Sequence, residues 1–200
     1  MLSVPHRGRT ANPFPVELQL GSAERKGEAM SSGTLIFLDF DDVICLNSPY
    51  GAYDVLAPDP PKDLWSRLFH TPAVKTLELI LCEFDAKVVI TTSWLRFLER
   101  VAMEQLFGKC GLEFIAQRLH DAWEAPAVHN KSRRQVIEAW LQQHHRGEPF
   151  VVLDDALSGT GLPGSRWHKQ GRVVLCKVGE GLHGGHVAQV RRALSKPAPR

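Results

Sequence analysis

Three stretches of the chain run from apolar residues straight into polar ones. Leu35-Ile36-Phe37-Leu38 leads into Asp39-Phe40-Asp41-Asp42, Val88-Val89-Ile90 into Thr91-Thr92-Ser93, and Val151-Val152-Leu153 into Asp154-Asp155. In an extended segment residues i and i+2 project to one side, so Asp39 and Asp41 are expected to share a direction while Phe40 turns into packing. A lone Asp at a strand end commonly caps a helix or opens a turn. Acids delivered to one place by separate strands are different, because they repel one another and are costly to desolvate. A hard divalent cation relieves both costs, and magnesium favours one or two carboxylates completed by water and substrate oxygens.

Such chemistry needs a scaffold that gathers distant strand ends. From Thr34 onward, short apolar runs alternate with segments of helical spacing. Strands are expected at 35–38, 87–90, 114–119, 150–153 and 172–178. Helices are expected within 63–83 (one or two, with Pro72 opening the second), 94–107, 132–144 and 186–195. The stretch from Pro49 to Pro61 reads as loop. Strands alternating with helices imply an α/β fold, a doubly wound parallel sheet with helices on both faces. In such a sheet the carboxyl ends of the strands line the ligand crevice, which is where these polar residues fall.

The chain has 200 residues, 44% hydrophobic and 23% charged, with a formal net charge of +2. That composition excludes a fibrous or wholly disordered chain. The small net charge gives no sign of wholesale binding to nucleic acid or anionic membrane, though it leaves room for a local basic patch. No apolar run reaches the ~18 residues of a membrane span. Residues 1–33 hold Pro5, Pro13, Pro15 and several glycines with one short apolar patch, and read as a flexible extension. Residues 34–195 read as one domain and 196–200 as a tail. Met30, directly before Ser31-Ser32-Gly33, is a candidate translation start. Cys45, Cys82, Cys110 and Cys176 are far apart with no CxxC pair, as expected of buried, reduced thiols in a cytoplasmic protein.

The spaced signatures resemble those of the haloacid dehalogenase-like (HAD) superfamily. Leu35 to Val43 is similar to its first motif, an apolar strand followed by D-x-D-x-[TV]. Val88-Val89-Ile90-Thr91 is similar to the second, Lys131 to the third, with Arg133 or Arg134 as alternatives, and Val151 to Asp155 to the fourth. The wording of Thr91 to Arg96 and of Val151 to Asp155 is similar to the HAD domains of Swiss-army-knife RNA repair proteins. The resemblance covers residues 34–194. It implies that Asp39 attacks phosphorus, that Asp41 acts as acid and then base, that Thr91 holds a phosphate oxygen and that Lys131 balances charge. It also implies Mg2+ bound by Asp39, the Asp41 carbonyl and Asp154 or Asp155. Many members carry Gly after the second motif-one Asp; here Asp42 adds a negative charge that bears on metal affinity or loop geometry.

The resemblance implies a phosphate monoester hydrolase. The loop from Cys45 to Pro61 has room for a small flap, with Asn47, Tyr50 and Tyr53 as candidate substrate contacts. Too few residues separate Leu119 from Lys131 for a large cap. An open site suits bulky substrates such as RNA or other nucleic-acid ends, or a phosphoprotein. The alternative is a non-catalytic module that binds metal or phosphate. The oligomeric state stays open.

Other motifs carry less. Gly159-Thr160-Gly161-Leu162-Pro163-Gly164 fits G-x-G-x-x-G but begins well after its strand and contains Pro163, so a turn is expected rather than a dinucleotide site. His183-Gly184-Gly185-His186 reads as a loop-to-helix junction. Trp65 and Trp140 are expected in the core, with Trp94 and Trp123 nearer the crevice.

Overall fold

The structure, a computed structural model, describes residues 33–156 and 160–197. The expected extension up to residue 32 with Met30, Gly159 of the glycine motif, and residues 198–200 of the tail lie outside the described residues.

Five strands, β1 (Leu35–Leu38), β2 (Lys87–Ile90), β3 (Leu119–Glu124), β4 (Phe150–Asp155) and β5 (Val173–Cys176), form one sheet in the order β3-β2-β1-β4-β5. Every pairing is parallel. The helices are α1 (Ala52–Val55), α2 (Leu64–Arg67), α3 (Thr71–Phe84), α4 (Arg100–Lys109), α5 (Glu113–Ala116), α6 (Arg133–His144), α7 (Arg166–Lys169) and α8 (Gly184–Leu194). This is the expected doubly wound α/β architecture.

Strand alternation sorts the core into two layers. Ile36, Leu38, Val88, Ile90, Val151 and Leu153 pack with Leu77 and Ile80 of α3, Phe107 of α4 and Val190 of α8. Leu35, Phe37, Val89, Phe150 and Val152 pack with Val136, Ile137 and Trp140 of α6. Because β1 is buried throughout, it reads as an unbroken apolar run rather than an alternating one.

Local stereochemistry sets the element ends. Pro72 stands in the first turn of α3, where its missing N–H costs nothing. Ser132 caps α6, accepting the Gln135 N–H while the Gln135 side chain accepts the Ser132 N–H. His183 caps α8, its ring nitrogen accepting the Gly185 N–H at 3.1 Å, so the His-Gly-Gly-His run is the expected junction. Gly181 adopts φ +67°, and a Cβ there would lie 2.9 Å from the Val43 carbonyl oxygen. Glycine thus lets the segment before α8 press against the loop after β1.

Four expectations change. The stretch 114–119 is not a strand: Glu113–Ala116 makes one helical turn and the strand begins at Leu119. β3 lies at the sheet edge, and its half-exposed sequence Leu-His-Asp-Ala-Trp-Glu lacks the apolar run that marks a central strand. The helix expected over 94–107 is broken into a 3₁₀ turn at Ser93–Arg96 and α4. The loop 49–61 contains the short α1. Cys82 is exposed on α3, although Cys45 and Cys176 are buried and none of the four is bridged. Among the described residues no helix is long and apolar enough to cross a membrane.

Candidate active site

The register places the acids. Leu38 is level with Ile90 on one side and Leu153 on the other. The next residue of each strand is therefore Asp39, Thr91 or Asp154, side by side at the carboxyl edge. Backbone bonds hold them there: the Asp39 N–H donates to the Leu153 carbonyl at 3.0 Å and the Thr91 N–H to that of Leu38 at 2.9 Å. Phe40 turns away, as expected, and packs edge-on against Phe69, Trp94 and Phe107.

Asp39, Asp154 and Asp155 each offer a carboxylate oxygen, and these lie within 4.8 Å of one another. Asp39 is 2% exposed, Asp154 0% and Asp155 6%. Burial lifts the pKa of Asp39 above its ordinary value, with Arg133 pulling the other way. Three buried acids this close can serve as oxygen donors to a hard cation, and these residues fit a magnesium ion. The Asp41 carboxylate does not join them.

The basic partner is Arg133. Its Nη1 lies 3.1 Å from Asp39 Oδ1 and 3.4 Å from Asp154 Oδ2. Burial works against its charge, but Asp39 and Asp154 outweigh this and hold its pKa above the usual value. Lys131, the residue the resemblance puts first, is exposed and forms no ion pair with them among the described residues. The reason is helical position. Ser132 caps α6, which leaves Lys131 outside the helix and Arg133 as its first residue. Arg134 is committed elsewhere, to Glu138 at 2.5 Å.

Thr91 Oγ1 is buried and has no hydrogen-bond partner. A buried hydroxyl normally finds one, so an orphan beside the acids is poised for an oxygen supplied from outside. Sequence reasoning missed the setting of Asp41. Its carboxylate accepts the Trp94 Nε1–H at 3.1 Å and the Ser93 hydroxyl at 3.2 Å. Trp94 is wholly buried, so it serves as core and as donor at once. The signal was present in Thr92-Ser93-Trp94, since the Thr92 side chain caps the 3₁₀ turn that turns the indole toward Asp41.

Asp42 takes φ +54°, a left-handed conformation that Gly or Asp tolerates best. Its Oδ1 accepts the Gly179 N–H at 2.9 Å, tying the loop after β1 to the loop after β5. The additional charge therefore serves loop geometry. Beyond Asp41 opens a cleft of about 600 Å³, lined by Asn47, Tyr53, Asp54, Ser93, Arg96 and Phe97 among others. Tyr50, a suggested substrate contact, instead donates to Asp63 at 2.6 Å and does not line the cleft.

Other candidate groups are accounted for locally. Burial pushes the thiols of Cys45 and Cys176 up to about 12, which leaves neither as a thiolate nucleophile. Gly161, from the glycine-rich stretch, adopts φ +72° and packs against Ser132, where a Cβ would lie 3.2 Å from its hydroxyl. It accommodates the N-terminus of α6.

A family model described as the HAD domain in Swiss Army Knife RNA repair proteins matches residues 35–187. Comparison with curated proteins and with solved structures gave no match.

Proposed function

The chain belongs to the family of HAD domains in Swiss Army Knife RNA repair proteins, and from that premise we propose that it is a magnesium-dependent phosphatase acting on phosphate monoesters at nucleic-acid ends. The family supports a phosphatase-type hydrolase. The observation that carries the reading is the convergence of Asp39, Asp154 and Asp155 within 4.8 Å in buried surroundings.

In this reading Asp39 is the nucleophile. Its carboxylate oxygen bonds to phosphorus as the bond from phosphorus to the ester oxygen breaks, leaving an aspartyl-phosphate. Asp41 gives its proton to the departing oxygen. It then takes one from a water that attacks the phosphorus and releases Asp39. The indole of Trp94 and the hydroxyl of Ser93 hold the Asp41 carboxylate in place for both steps. Thr91 donates its unpartnered hydroxyl to a phosphate oxygen, and Arg133 balances charge on the phosphoryl group and on Asp39. Asp39, Asp154, Asp155 and the Asp41 carbonyl would hold the magnesium ion, which supplies positive charge against the repulsion between carboxylate and phosphate.

A flap of about 16 residues after Cys45 and the absence of a large insertion between β3 and α6 support a site open to a polymer end. Incubation with p-nitrophenyl phosphate and magnesium tests the chemistry. Turnover that EDTA abolishes is the expected result. Thermal stabilisation by phosphate plus magnesium without turnover would favour the non-catalytic binding module instead. A panel of small metabolites turned over far faster than phosphorylated oligonucleotides would remove the nucleic-acid assignment.

A further inference from the structure

We infer that the cleft beside Asp41 is a stacking subsite for a nucleobase, with Tyr53 and Phe97 as its aromatic surfaces and Arg96 as a contact for the adjoining phosphodiester. This deepens the phosphatase reading and rests on it. It makes the substrate the phosphorylated end of a single-stranded oligonucleotide, engaged through its last base and its next phosphate.

The cleft is far larger than a phosphate group needs. Its volume of about 600 Å³ lies in the range of pockets that enclose whole small ligands. Two large aromatic side chains line it from separate segments, Tyr53 from α1 in the flap and Phe97 from the end of the turn after β2. Tyr53 is 88% exposed and Phe97 37% exposed, so both present ring surface to solvent. Exposed aromatic faces near a phosphate site are the components of a sequence-tolerant stacking platform.

Phe97 is also fixed relative to the chemistry. Its ring stacks on Trp94 with centroids 6.4 Å apart and planes 28° from parallel. Trp94 in turn donates its indole N–H to Asp41. A base resting on Phe97 is therefore in register with the acid through two rigid rings.

Arg96 supplies the charge. It is exposed, lines the same cleft and forms no ion pair among the described residues. Arg100, four positions on at the start of α4, is by contrast already paired with Glu104 at 2.9 Å. A guanidinium without a partner suits the two oxygens of a phosphodiester. A phosphotyrosine peptide offers one ring and no second phosphate, so it leaves Arg96 without a purpose.

The test uses the full chain with magnesium. Substrates are trinucleotides carrying a 5′ or a 3′ phosphate, the same strands with an abasic terminal residue, mononucleotides, p-nitrophenyl phosphate and a phosphotyrosine peptide. For at least one end, kcat/KM should exceed that of the abasic strand by about tenfold or more. Phe97→Ala, and Phe97→Leu as the variant that keeps bulk without a π face, should bring that ratio close to one. Arg96→Ala should remove the advantage of the trinucleotide over the mononucleotide. Hydrolysis of p-nitrophenyl phosphate with no preference for a base, or a preference for the peptide, overturns the subsite and leaves the phosphatase reading intact. If no ester is hydrolysed, that reading fails, and fluorescence anisotropy of the labelled trinucleotides decides the subsite. Binding about tenfold tighter than the abasic strand then upholds it, and equal or absent binding overturns it.

Discussion

At the carboxyl end of the sheet, Asp39, Asp154 and Asp155 are buried with their oxygens within 4.8 Å of one another. At the amino end, His120, Asp121, His144, His145 and Glu148 line a cavity of about 280 Å³. Both ends gather titratable groups, and they differ in what those groups face. His120 accepts the Ala122 N–H through Nδ1 at 3.0 Å, and its ring packs edge-on against Trp140 at 5.0 Å. His145 bonds the Glu148 carbonyl oxygen at 2.7 Å. The rings of His120 and His145 are thus engaged by nearby backbone. The acids of the other end face one another and Arg133 in a dry setting, where charge is costly and a cation or a phosphoryl group is worth most. Strand ends that aim their acids inward set the first cluster apart from one that is merely dense.

The comparison can be broken first at Asp39. Asp39→Asn should lower turnover by at least about 10³-fold while leaving the circular dichroism spectrum unchanged. Near-normal rates would remove the nucleophile assignment. Arg133→Ala should cost roughly 10²-fold in kcat, whereas Lys131→Ala should leave it within about a factor of two, as for other exposed charges. The reverse ranking in steady-state kinetics would return the charge-balancing role to Lys131. Trp94→Phe keeps an aromatic ring and deletes the N–H that Asp41 accepts. A loss of about tenfold in kcat is expected, because hydrogen bonds to charged groups are among the stronger ones.

The smallest effect is expected at the amino end. Desolvation lowers the pKa of His120, against the pull of Asp121 and Glu148. In the unfolded chain the imidazole protonates near its ordinary ~6.5, while in the fold it resists. Stability is thus undiminished by this group above about pH 6.5 and declines as pH falls below that value. His120→Gln should flatten the decline in a series of thermal melts from pH 7 to pH 5, with no change in kcat. An unchanged slope would show that the ring is not held neutral.

Much of the fold was open to a reader of the chain. β1, β2 and β4 are buried apolar runs that end in polar residues, and such runs announce central strands of a parallel sheet. β3 escaped because its own sequence is half-exposed and polar, unlike the apolar edge strand β5. The acids were visible because Asp39 directly follows β1, and Asp154 and Asp155 close the apolar run of β4. Asp42 was visible as a departure, but its partner, the Gly179 N–H, lies 137 positions away.

Residue types along the chain determined that a parallel sheet forms and that its carboxyl edge is acidic, because burial patterns and strand ends are local properties. Which cation meets those acids was decided only in three dimensions. Lys131 and Arg133 stand two positions apart with similar charge, and the cap at Ser132 leaves one in solvent and starts the helix at the other. The same holds for Trp94, whose indole reaches Asp41 across 53 positions because a 3₁₀ turn and the packing of Phe40 set its angle. Direction of a side chain depends on the whole surrounding packing, and no local pattern encodes it.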